Sequence, residues 1–519
     1  MKPAYTAQEI RAAEQPLLAA GEPLMAKAAF AASTIIRTRI QAQYRRLSGT
    51  RITVLVGPGN NGGDALFTAA HLARFPTHIT VITVSENVHA EGIAALRNTQ
   101  ARLINLNEDT FAEAVQHCTQ ADLLIDGILG IGAHDAARGI AGDLISELNR
   151  HTHKPWTISL DIPSGIDAST GEVSNETRTI RADDTITFGA LKIGLCAPPA
   201  LHHAGRIHIA DIGLNLPQAY MRVIEPEDFT PTGALTSLVS APPAHSHKYL
   251  RGVTGIIAGS AEYPGAGIIA TQAAVASGPG MVRYLGEGSI ARMIVAAAPE
   301  IVTAQGQVQS YLVGSGLPPG LDLRDLVFTL VREQVPVILD AGALATLDPE
   351  LCTHLRSHHI LTPHAGELAE LLTRCGHPRS RTDVEAQFME SAVLAHTITG
   401  ATIVAKSAAT IIVGRHGAYM YSDGTSQLAS AGAGDALAGI LATSVAKWFA
   451  HKRTSITDTD WALVAAGGVY MHGFAARLAA GEYQPGQNHA PSGYSAPITA
   501  TRVIEEIPRA CALLNSGLP

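Results

Sequence analysis

Short apolar runs alternate with helical patterns along most of the chain, and this alternation predicts a parallel α/β structure. Residues 51–57 (RITVLVG) form the first β-rich run, and a Gly/Asn turn followed by a helical pattern over 64–74 completes one unit. Further strands are predicted at 78–84, 121–126 and 155–161. Because these runs lack alternating polar positions, we expect helices to cover both faces of their sheet.

A second series of α/β units occupies the rest of the chain. Helical patterns separate its strands, which are predicted at 252–260, 311–314, 336–340, 359–362 and 401–406. The segment 225–247 between the two series is rich in Pro, Thr, Ser and Ala, and we predict the linker there. The pattern therefore predicts two domains, 1–230 and 235–519.

Three segments outside these series also have interpretable patterns. The chain opens with a helical pattern over 5–20, in which Thr6 and Glu9 have the spacing of a capping box. The most apolar stretch, 461–480, contains charged residues and several glycines, so it predicts a buried helix and no membrane span. The Pro/Gly/Asn-rich stretch 484–494 predicts a surface loop.

Composition narrows the class of protein. The 519 residues are 46% hydrophobic and 16% charged, which is enough apolar material for large cores. A net charge of −8 argues against nucleic acid and against an anionic membrane surface as partners. Five scattered cysteines without CxxC spacing, and no signal-peptide pattern, predict a cytoplasmic protein without disulfides or a thiolate zinc site. Assembly into a homo-oligomer is compatible with such a chain.

The first candidate site is the glycine-rich motif GPGNNG at 57–62, which follows a predicted strand and precedes a helix. It fits the dinucleotide-binding pattern GxGxxG, although Asn60, Asn61 and Asp64 are unusual for a pyrophosphate site. A simple turn with left-handed asparagines would have the same residues. Asp126 and Asp161 each follow another predicted strand, so we expect three loops to converge at the carboxyl edge of one sheet.

The segments GPGNNGGDALFTAAHLA, LLIDGILGIGAHDAARG, SLDIPSGIDASTGEV and ADDTITFGALKIGL resemble the YjeF amino-terminal family, epimerases of hydrated NADH and NADPH. The resemblance covers about residues 1–225 and implies a Rossmann-like domain with Asp161 as the acid/base residue in contact with substrate. It implies further substrate contacts from Asn60, Asn61, Gly62, Gly63, Asp64, Gly130, Ile131, Gly132, Ala133, His134, Asp135 and Ala136. Asn61, Asp126 and Ser164 are the implied potassium ligands, and such hard oxygen donors suit that cation. Ala65 departs from the family's glycine.

The second candidate site is AGAGD at 431–435, directly before a helical pattern over 436–449. Glycine amides at a helix start can bind a phosphate, and Asp435 can act as a general base in phosphoryl transfer. An Asp that only stabilises the helix end would have the same position. His364 follows the strand 359–362 and is either a hydrogen-bond donor to a ligand or a structural histidine, and Lys406 either meets phosphates or is simply exposed.

The segment HKYLRGVTGIIAGSAEYPGAGIIATQAAVASGPGMV with LDAGAL, LTPHAGEL, AKSAATIIV and AGAGDALAG resembles the YjeF carboxy-terminal family, ribokinase-like nucleotide-dependent dehydratases of hydrated NAD(P)H. The resemblance covers about residues 235–510. It implies that the hydrate is bound by Ala266, Gly316, His364 and Asp435. It implies that the nucleotide is bound by Lys406, Ser407, Ala408, Ala409, Thr410 and Gly434. Gly267 and Ser407 depart from the family pattern.

Together the two halves resemble the bifunctional NAD(P)H-hydrate repair enzymes, with a Rossmann-like amino-terminal domain followed by a ribokinase-like α/β domain. The resemblance implies epimerisation of the R and S hydrates and nucleotide-dependent dehydration of the S form. ADP is the favoured co-substrate, but the residues do not separate ADP from ATP, and Mg²⁺ is expected with either. Two alternatives stay open: a ribokinase-like kinase of a small alcohol, which leaves the first half unexplained, and a non-catalytic ligand-sensing scaffold, against which the presence of Asp161 and Asp435 argues.

Overall fold

The computed structural model describes residues 1–97, 99–318, 323–452, 456–483 and 495–517, so the loop predicted at 484–494 lies outside the described residues. The chain divides into two compact units, Pro3–Ala219 and Met1–Lys2 with Tyr220–Pro519. Each unit has the α/β architecture expected from the hydrophobic pattern. In the part of the chain that the structure describes, no helix has both the length and the apolar character needed to cross a bilayer.

The first unit is a parallel sheet between two helical layers. Its strands are β2 (Arg51–Val56), β3 (His78–Thr83), β4 (Arg102–Asn105), β5 (Leu123–Gly127), β6 (Trp156–Leu160), β7 (Asp184–Phe188) and β9 (Arg206–Ala210). Two short strands, β1 (Lys2–Tyr5) and β8 (Leu191–Lys192), lie outside this sheet and pair with each other in parallel. Its helices are α1 (Ala7–Ala19), α2 (Leu24–Tyr44), α3 (Asn60–Leu72), α4 (Ala90–Leu96), α5 (Phe111–Thr119), α6 (Gly139–Arg150) and α7 (Leu201–Ala204). The strand order is β4-β3-β2-β5-β6-β7-β9, with every neighbouring pair parallel.

Apolar side chains on both faces of this sheet hold the two helical layers. Ile36 of α2 and Leu66 of α3 pack in one fully buried cluster, and Leu144 of α6 belongs to a second one on the other face. This is the burial that the continuous apolar strands predict. The predicted capping box of α1 is also present, because Thr6 Oγ1 accepts from the Glu9 amide at 3.2 Å and the Glu9 carboxylate accepts from the Thr6 amide at 2.8 Å.

The second unit contains a larger mixed sheet. Its strands are β10 (Met221–Val223), β11 (Val253–Ile257), β12 (Met281–Tyr284), β13 (Ser310–Val313), β14 (Val337–Leu339), β15 (His359–Leu361), β16 (Thr402–Ala405), β17 (Thr410–Gly414) and β18 (Gly417–Tyr421). Its helices are α8 (Thr236–Val239), α9 (Pro264–Ala276), α10 (Gly288–Ala297), α11 (Arg324–Arg332), α12 (Pro349–Cys352), α13 (Ala365–Arg374), α14 (Arg381–Ala386), α15 (Phe388–Thr399), α16 (Ala433–Lys452), α17 (Trp461–Ala479) and α18 (Ala500–Ser516).

The strand order β12-β11-β13-β14-β15-β16-β17-β18-β10 places the parallel strands on one side of this sheet. Neighbouring strands are parallel from β12 to β16, and β17 is antiparallel to both β16 and β18. Helices α9 and α16 pack very closely, since a Cβ at Gly439 would lie 2.2 Å from the Ala270 carbonyl oxygen. Helix α17 is buried along nearly its whole length, which confirms the buried helix predicted at 461–480.

The segment predicted as a linker over 225–247 is folded into the second unit as far as residue 239. A short 3₁₀ turn at Pro226–Phe229 and helix α8 place Phe229, Leu235 and Leu238 in the main core, each with 0% exposure. Strand β10 before it pairs with β18. The linker prediction was based on the Pro, Thr and Ser content of the segment and did not take account of these few, widely spaced apolar residues, which pack in the core.

Candidate functional sites

The first candidate site lies at the carboxyl ends of β2, β5 and β6. Because these parallel strands are neighbours, the loops that follow them meet at one edge of the sheet, as the sequence predicts. They enclose a cavity of about 580 Å³. Of the residues proposed for this site, the cavity is lined by Asn60, Asn61, Asp64, Gly130, Ile131, Gly132, Ala133 and Asp161.

Asp161 is held in this cavity by a buried lysine. Lys192 Nζ donates to Asp161 Oδ1 at 2.6 Å and to the Phe188 carbonyl oxygen at 2.6 Å, and Lys192 has 0% exposure. Asp161 has a left-handed φ of +64°, a conformation that Asp tolerates better than most residues but that still stores strain. The sequence analysis missed the role of Lys192, whose one signal is a cation inside the apolar run ALKIGL.

Two more carboxylates share the cavity with Asp161. Burial, followed by the negative charges of Asp161 and Glu14, raises the pKa of Asp64 well above its usual value. Burial and then Asp161 also raise the pKa of Glu14, which comes from α1. A protonated Asp64 does not repel an anion, so its position at the start of α3 is compatible with a phosphate nearby.

Asp126 forms the polar centre beneath the cavity. It has 0% exposure and accepts hydrogen bonds from Ser159 Oγ at 2.8 Å, Ser164 Oγ at 2.6 Å and the Ser164 amide at 2.8 Å. Burial is the largest influence and raises the pKa of Asp126, while these hydrogen bonds act in the opposite direction. Asn61 donates from Nδ2 to the carbonyl oxygens of Leu129 (2.7 Å) and Leu160 (3.1 Å). The Leu129 amide in turn donates to Ser164 Oγ at 2.9 Å, which links Asn61 to the hydrogen bonds around Asp126.

The amide oxygen of Asn61 is buried and, among the residues that the structure describes, has no hydrogen-bond partner. A buried acceptor without a partner is costly, so it indicates a missing donor or cation. Ser164 and Asp126, which are linked to Asn61 through Leu129, supply further oxygen atoms. Oxygen donors of this kind are compatible with a hard cation such as potassium.

The other residues implied for the first site have packing or loop roles. A Cβ at Gly62 would lie 2.0 Å from the Gly57 carbonyl oxygen, and one at Gly63 would lie 2.8 Å from the Met25 side chain, so both glycines permit close packing of the helix start. In the loop, His134 Nδ1 hydrogen-bonds to Asp167 Oδ2 at 2.6 Å. The Ala136 amide donates to Ser174 Oγ at 2.9 Å, and exposed Asp135 pairs with Arg138.

Ala65, the departure at the start of α3, does not narrow the cavity. It has 0% exposure, and a Cβ at Gly127 of β5 would lie 2.4 Å from the Ala65 methyl group. The Ala65 side chain therefore packs against the strand, and Gly127 provides the space for it.

The second candidate site lies at the carboxyl ends of β14, β15 and β16. The main residue that the sequence analysis missed is Asp340, directly after β14, whose Oδ1 accepts from Lys406 Nζ at 3.0 Å. Thr362 Oγ1 and Ser315 Oγ also donate to its carboxylate, at 2.6 and 2.7 Å. Burial acts to raise the pKa of Asp340. The charge of Lys406 and the hydrogen bonds from Thr362, Ser315 and Lys406 outweigh burial and hold this pKa below its usual value. A fully ionised, oriented Lys406–Asp340 pair results.

Asp435 lies in the first turn of α16, beside this pair. Burial, and then the negative charge of Asp340, raise the pKa of Asp435 to about 6, while the Lys406 cation acts in the opposite direction. A carboxylate with a pKa near physiological pH is suited to general-base chemistry. Gly434, just before it, is close to Lys406, since a Cβ there would lie 3.8 Å from Lys406 Nζ. Lys406 is therefore close to Gly434 and Asp435, although it is far from them in the sequence. The roles of these residues toward a nucleotide and a hydrate stay predictions.

His364 is the N-cap of α13 and lies beside Lys406 in a parallel bridge. Its Nδ1 accepts from the amides of Gly366 (3.0 Å) and Glu367 (3.2 Å). With Nδ1 used as an acceptor, the ring carries its proton on Nε2, and more than half of the side chain is exposed. The capping role is therefore observed, with Nε2 lying 3.5 Å from Glu367 Oε1, and a contact of this ring with a ligand stays a prediction.

The glycine-rich turns after β11 and β13 bring Ala266 and Gly316 together. Gly316 has a φ of +65°, and a Cβ there would lie 2.3 Å from the Ala266 methyl group. A cavity of about 500 Å³ adjoins this contact at Gly259, Ser260 and Leu317. Its lining does not extend to His364, Lys406 or Asp435.

The loop implied for the nucleotide is the turn between β16 and β17. The predicted pair of strands is confirmed, with Ala405 opposite Ile411 in an antiparallel register. Ser407 and Ala408 are exposed, Ala409 is buried and Thr410 is half-buried. The side chain of Ser407, which replaces a glycine of the family pattern, is therefore exposed to solvent. At the other departure from the pattern, Gly267, a Cβ would lie 2.9 Å from the Ala258 carbonyl oxygen, so the backbone packs closely there.

Comparison with known proteins matches both halves. Residues 21–194 match the family model described as YjeF-related protein N-terminus, and residues 254–492 match the one described as NAD(P)H-hydrate dehydratase. The chain is 32% identical to the bifunctional NAD(P)H-hydrate repair enzyme Nnr of Mycobacterium leprae (strain TN), over 99% of this chain and 100% of that protein. It is 40% identical to an NAD(P)H-hydrate epimerase of Microbacterium testaceum (strain StLB037), over 43% of this chain and 82% of that protein.

Among solved structures, part of the chain is similar to the ADP/ATP-dependent NAD(P)H-hydrate dehydratase of Bacillus subtilis, co-crystallised with ATP and Mg²⁺. The match has a TM-score of 0.44 and 24% identity, and it covers 54% of this chain and 96% of that one.

Proposed function

Because this chain belongs to the family of bifunctional NAD(P)H-hydrate repair enzymes, we propose that its two sites act in turn on one damaged metabolite. The first unit interconverts the R and S hydrates of NADH and NADPH, and the second dehydrates the S form with a nucleotide. The observation that carries this assignment is that each unit has a carboxylate oriented by a lysine ammonium at its sheet's carboxyl edge. In the first unit Lys192 is bonded to Asp161 itself at 2.6 Å, whereas in the second Lys406 is bonded to Asp340 at 3.0 Å and the charges of this pair act on the neighbouring Asp435.

In the first site, Asp161 moves a proton at the C6 oxygen of the hydrated ring. The ring nitrogen N1 donates its lone pair, the protonated hydroxyl leaves as water, and a cationic ring remains. Water then adds to either face of C6 and returns the proton to Asp161, which gives both epimers without net change. The role of Lys192 is to orient the Asp161 carboxylate and to balance its charge in a buried site. The loop from Gly130 to Ala136 and the α3 start at Asn60 hold the dinucleotide.

A potassium ion fits the first site on the observation of the unpartnered, buried Asn61 amide oxygen. The residues that would hold it are Asn61, Asp126 and Ser164. Bound there, the cation supplies positive charge that offsets the carboxylates and an anionic dinucleotide. The epimerisation steps assigned to Asp161 proceed on this chain's own groups.

In the second site, Asp435 accepts the C6 hydroxyl proton while that oxygen attacks the terminal phosphoryl group of ATP or ADP. The bond from that phosphorus to the nucleotide breaks, and ADP or AMP leaves. N1 then expels the C6 oxygen as inorganic phosphate, and loss of the C5 proton restores the double bond of NADH or NADPH. His364 Nε2 is the donor that orients the hydrate, and Lys406 with the Gly434 amide meets the transferred phosphoryl group.

Magnesium is compatible with this site only as a companion of the nucleotide. Among the described residues there is no group of three or more His, Cys, Asp or Glu side chains arranged to hold a metal ion. Mg²⁺ is normally bound by substrate phosphates and retained waters, and it supplies charge neutralisation on the phosphoryl oxygens. We propose that the Lys406–Thr410 turn and Gly434 receive the nucleotide phosphates in either the ADP or the ATP form.

The direct test incubates the purified chain with an R/S mixture of hydrated NADH or NADPH and either ADP or ATP. Recovery of the reduced-ring absorbance from both epimers, with one phosphate released per ring, is the expected result. Nucleotide consumption without ring recovery would favour the small-molecule kinase. Binding of the hydrate with neither activity would favour the scaffold.

A further inference from the structure

A cavity of about 730 Å³ in the second unit opens at the amino-terminal edge of its sheet. Its walls are the segments that lead into β14, β15 and β16, namely residues 331–334, 352–358 and 396–400, together with Arg415, Ile456 and Thr457. The proposed catalytic groups follow the same strands at the opposite edge. None of the residues assigned to the hydrate or to the nucleotide lines this cavity.

The cavity is positively charged in a negatively charged protein. Arg332, Arg356 and Arg415 line it and Glu333 is its one carboxylate, whereas the chain as a whole has a net charge of −8. Within the described part of the chain, none of the three arginines forms an ion pair with an acidic side chain. Arg332 ends α11, and Arg356 and Arg415 lie in two loops, so three surface arginines from separate segments line one cavity and create a local positive potential there.

Most donors of these guanidinium groups remain available for a ligand. Arg356 uses Nη1 for the carbonyl oxygens of Thr353 (2.8 Å) and Leu355 (2.6 Å), which orients its guanidinium. Arg332 lies 5.3 Å over the Phe328 ring, a stacking contact that leaves its N–H groups free of acceptors. Each guanidinium has five N–H donors, so the cluster offers many more than these contacts consume.

Histidine rings and apolar side chains complete the lining. Burial, and then the charge of Arg356, lower the pKa of His358 to about 4, so this ring is uncharged near neutral pH. His396 Nδ1 is hydrogen-bonded to the Ala401 carbonyl oxygen at 2.6 Å, and its other ring nitrogen is directed elsewhere. Leu355 and Ile398 provide apolar wall. The cavity therefore has a cationic part and an uncharged, partly apolar part.

We propose that this cavity binds a phosphate-bearing metabolite, with its phosphate oxygens between the guanidinium groups of Arg332, Arg356 and Arg415 and its organic part against the uncharged wall. The planar guanidinium fork matches phosphate oxygens in pairs, and its charge is permanent. The volume lies within the range of roughly 300–1,000 Å³ typical of small-molecule sites. This site is additional to the proposed repair function, because it uses none of the residues assigned to that function.

Two measurements on the full chain test the proposal. Crystals are soaked with selenate, a tetrahedral dianion whose anomalous signal gives its position, and the expected result is density between the three guanidinium groups. Calorimetric titration with inorganic pyrophosphate then compares the wild type with the variants Arg415→Gln and Arg332→Gln. Each variant should bind pyrophosphate at this cavity about tenfold more weakly, because one charge-assisted contact is removed. Because pyrophosphate can also bind at the nucleotide loop, the measured quantity is the difference in pyrophosphate affinity between the wild type and each variant.

The matched control is Arg292→Gln on α10, which removes the same charge from an exposed position outside the cavity. It should bind pyrophosphate as wild type does. Equal affinity in wild type and both cavity variants, or selenate ordered at other positions and absent between the guanidinium groups, overturns the proposal. Thermal unfolding of each variant controls for loss of fold, and the repair assay on the same samples separates a failure here from a failure of the proposed function.

Discussion

Asp161 and Asp435 carry the chemistry at the scale of single residues, and each has a conservative variant that separates chemistry from structure. Asp161→Asn keeps the shape of the side chain, and Asn also tolerates the φ of +64°. The variant should lose interconversion of the two hydrates while repair of the S form stays near normal. In an equal mixture of the R and S hydrates, only the S hydrate would then be consumed, once spontaneous epimerisation has been subtracted. Rapid repair of both halves would contradict the proposed proton transfer.

Lys192→Met tests whether the buried ion pair orients Asp161. Removing one partner of a buried pair leaves the other charge unbalanced, which typically costs 3–5 kcal/mol, so we expect a reduction of about that size in the free energy of unfolding of the first unit. Epimerisation should also be lost. The double variant Asp161→Asn with Lys192→Met removes both charges and should recover part of this stability, measured by urea unfolding. A double variant no more stable than Lys192→Met would contradict the pairing.

Asp435→Asn should bind nucleotide normally but lose dehydration by about a hundred- to ten-thousandfold, as expected for loss of a general base. Because the base must be deprotonated and its pKa is raised to about 6, kcat/KM of the wild type should fall as the pH drops below that value. Rates measured with the S hydrate and ADP or ATP across this range check the prediction. Equal losses of affinity and rate in the variant would instead make Asp435 a binding residue.

At the scale of elements, the start of α13 combines a structural and a functional role in His364. His364→Asn keeps an N-cap acceptor but removes the imidazole donor, whereas His364→Ala removes both, and loss of a cap costs about 1 kcal/mol. We expect both variants to raise KM for the hydrate, but only His364→Ala to lower the melting temperature. If His364→Asn retains the wild-type KM, the histidine is only a cap.

Element-scale patterns also explain what the sequence could and could not predict. The strands and the helix starts near Asn60 and Asp435 follow from local apolar runs and glycine turns, so these residues were found in the sequence. Lys192 and Asp340 were missed because their partners, Asp161 and Lys406, are 31 and 66 residues away, and no local periodicity reports such contacts. The arginine-lined cavity was missed for the same reason, since its three arginines come from the end of α11 and from two loops that are distant in the sequence.

At the scale of the whole molecule, each unit has its own core, so we expect separately expressed parts to fold. Residues 1–230 and 240–519 were the fragments suggested by the predicted linker. The structure changes the second choice, because residues 220–239 supply β10 and α8 to that unit. A fragment that represents the second unit should therefore begin before β10, although the composition of residues 225–247 is typical of a linker.

A fragment of residues 220–519 should be more stable than one of residues 240–519. The shorter fragment lacks Phe229, Leu235 and Leu238, each with 0% exposure, and burying such a side chain contributes roughly 1.5–3 kcal/mol. It would also expose the apolar surfaces of α16 and α18 that this segment covers, which favours aggregation. Thermal unfolding followed by circular dichroism compares the two fragments, with the full chain as reference. Equal melting temperatures would mean that residues 220–239 are dispensable to the core, as the linker interpretation originally required.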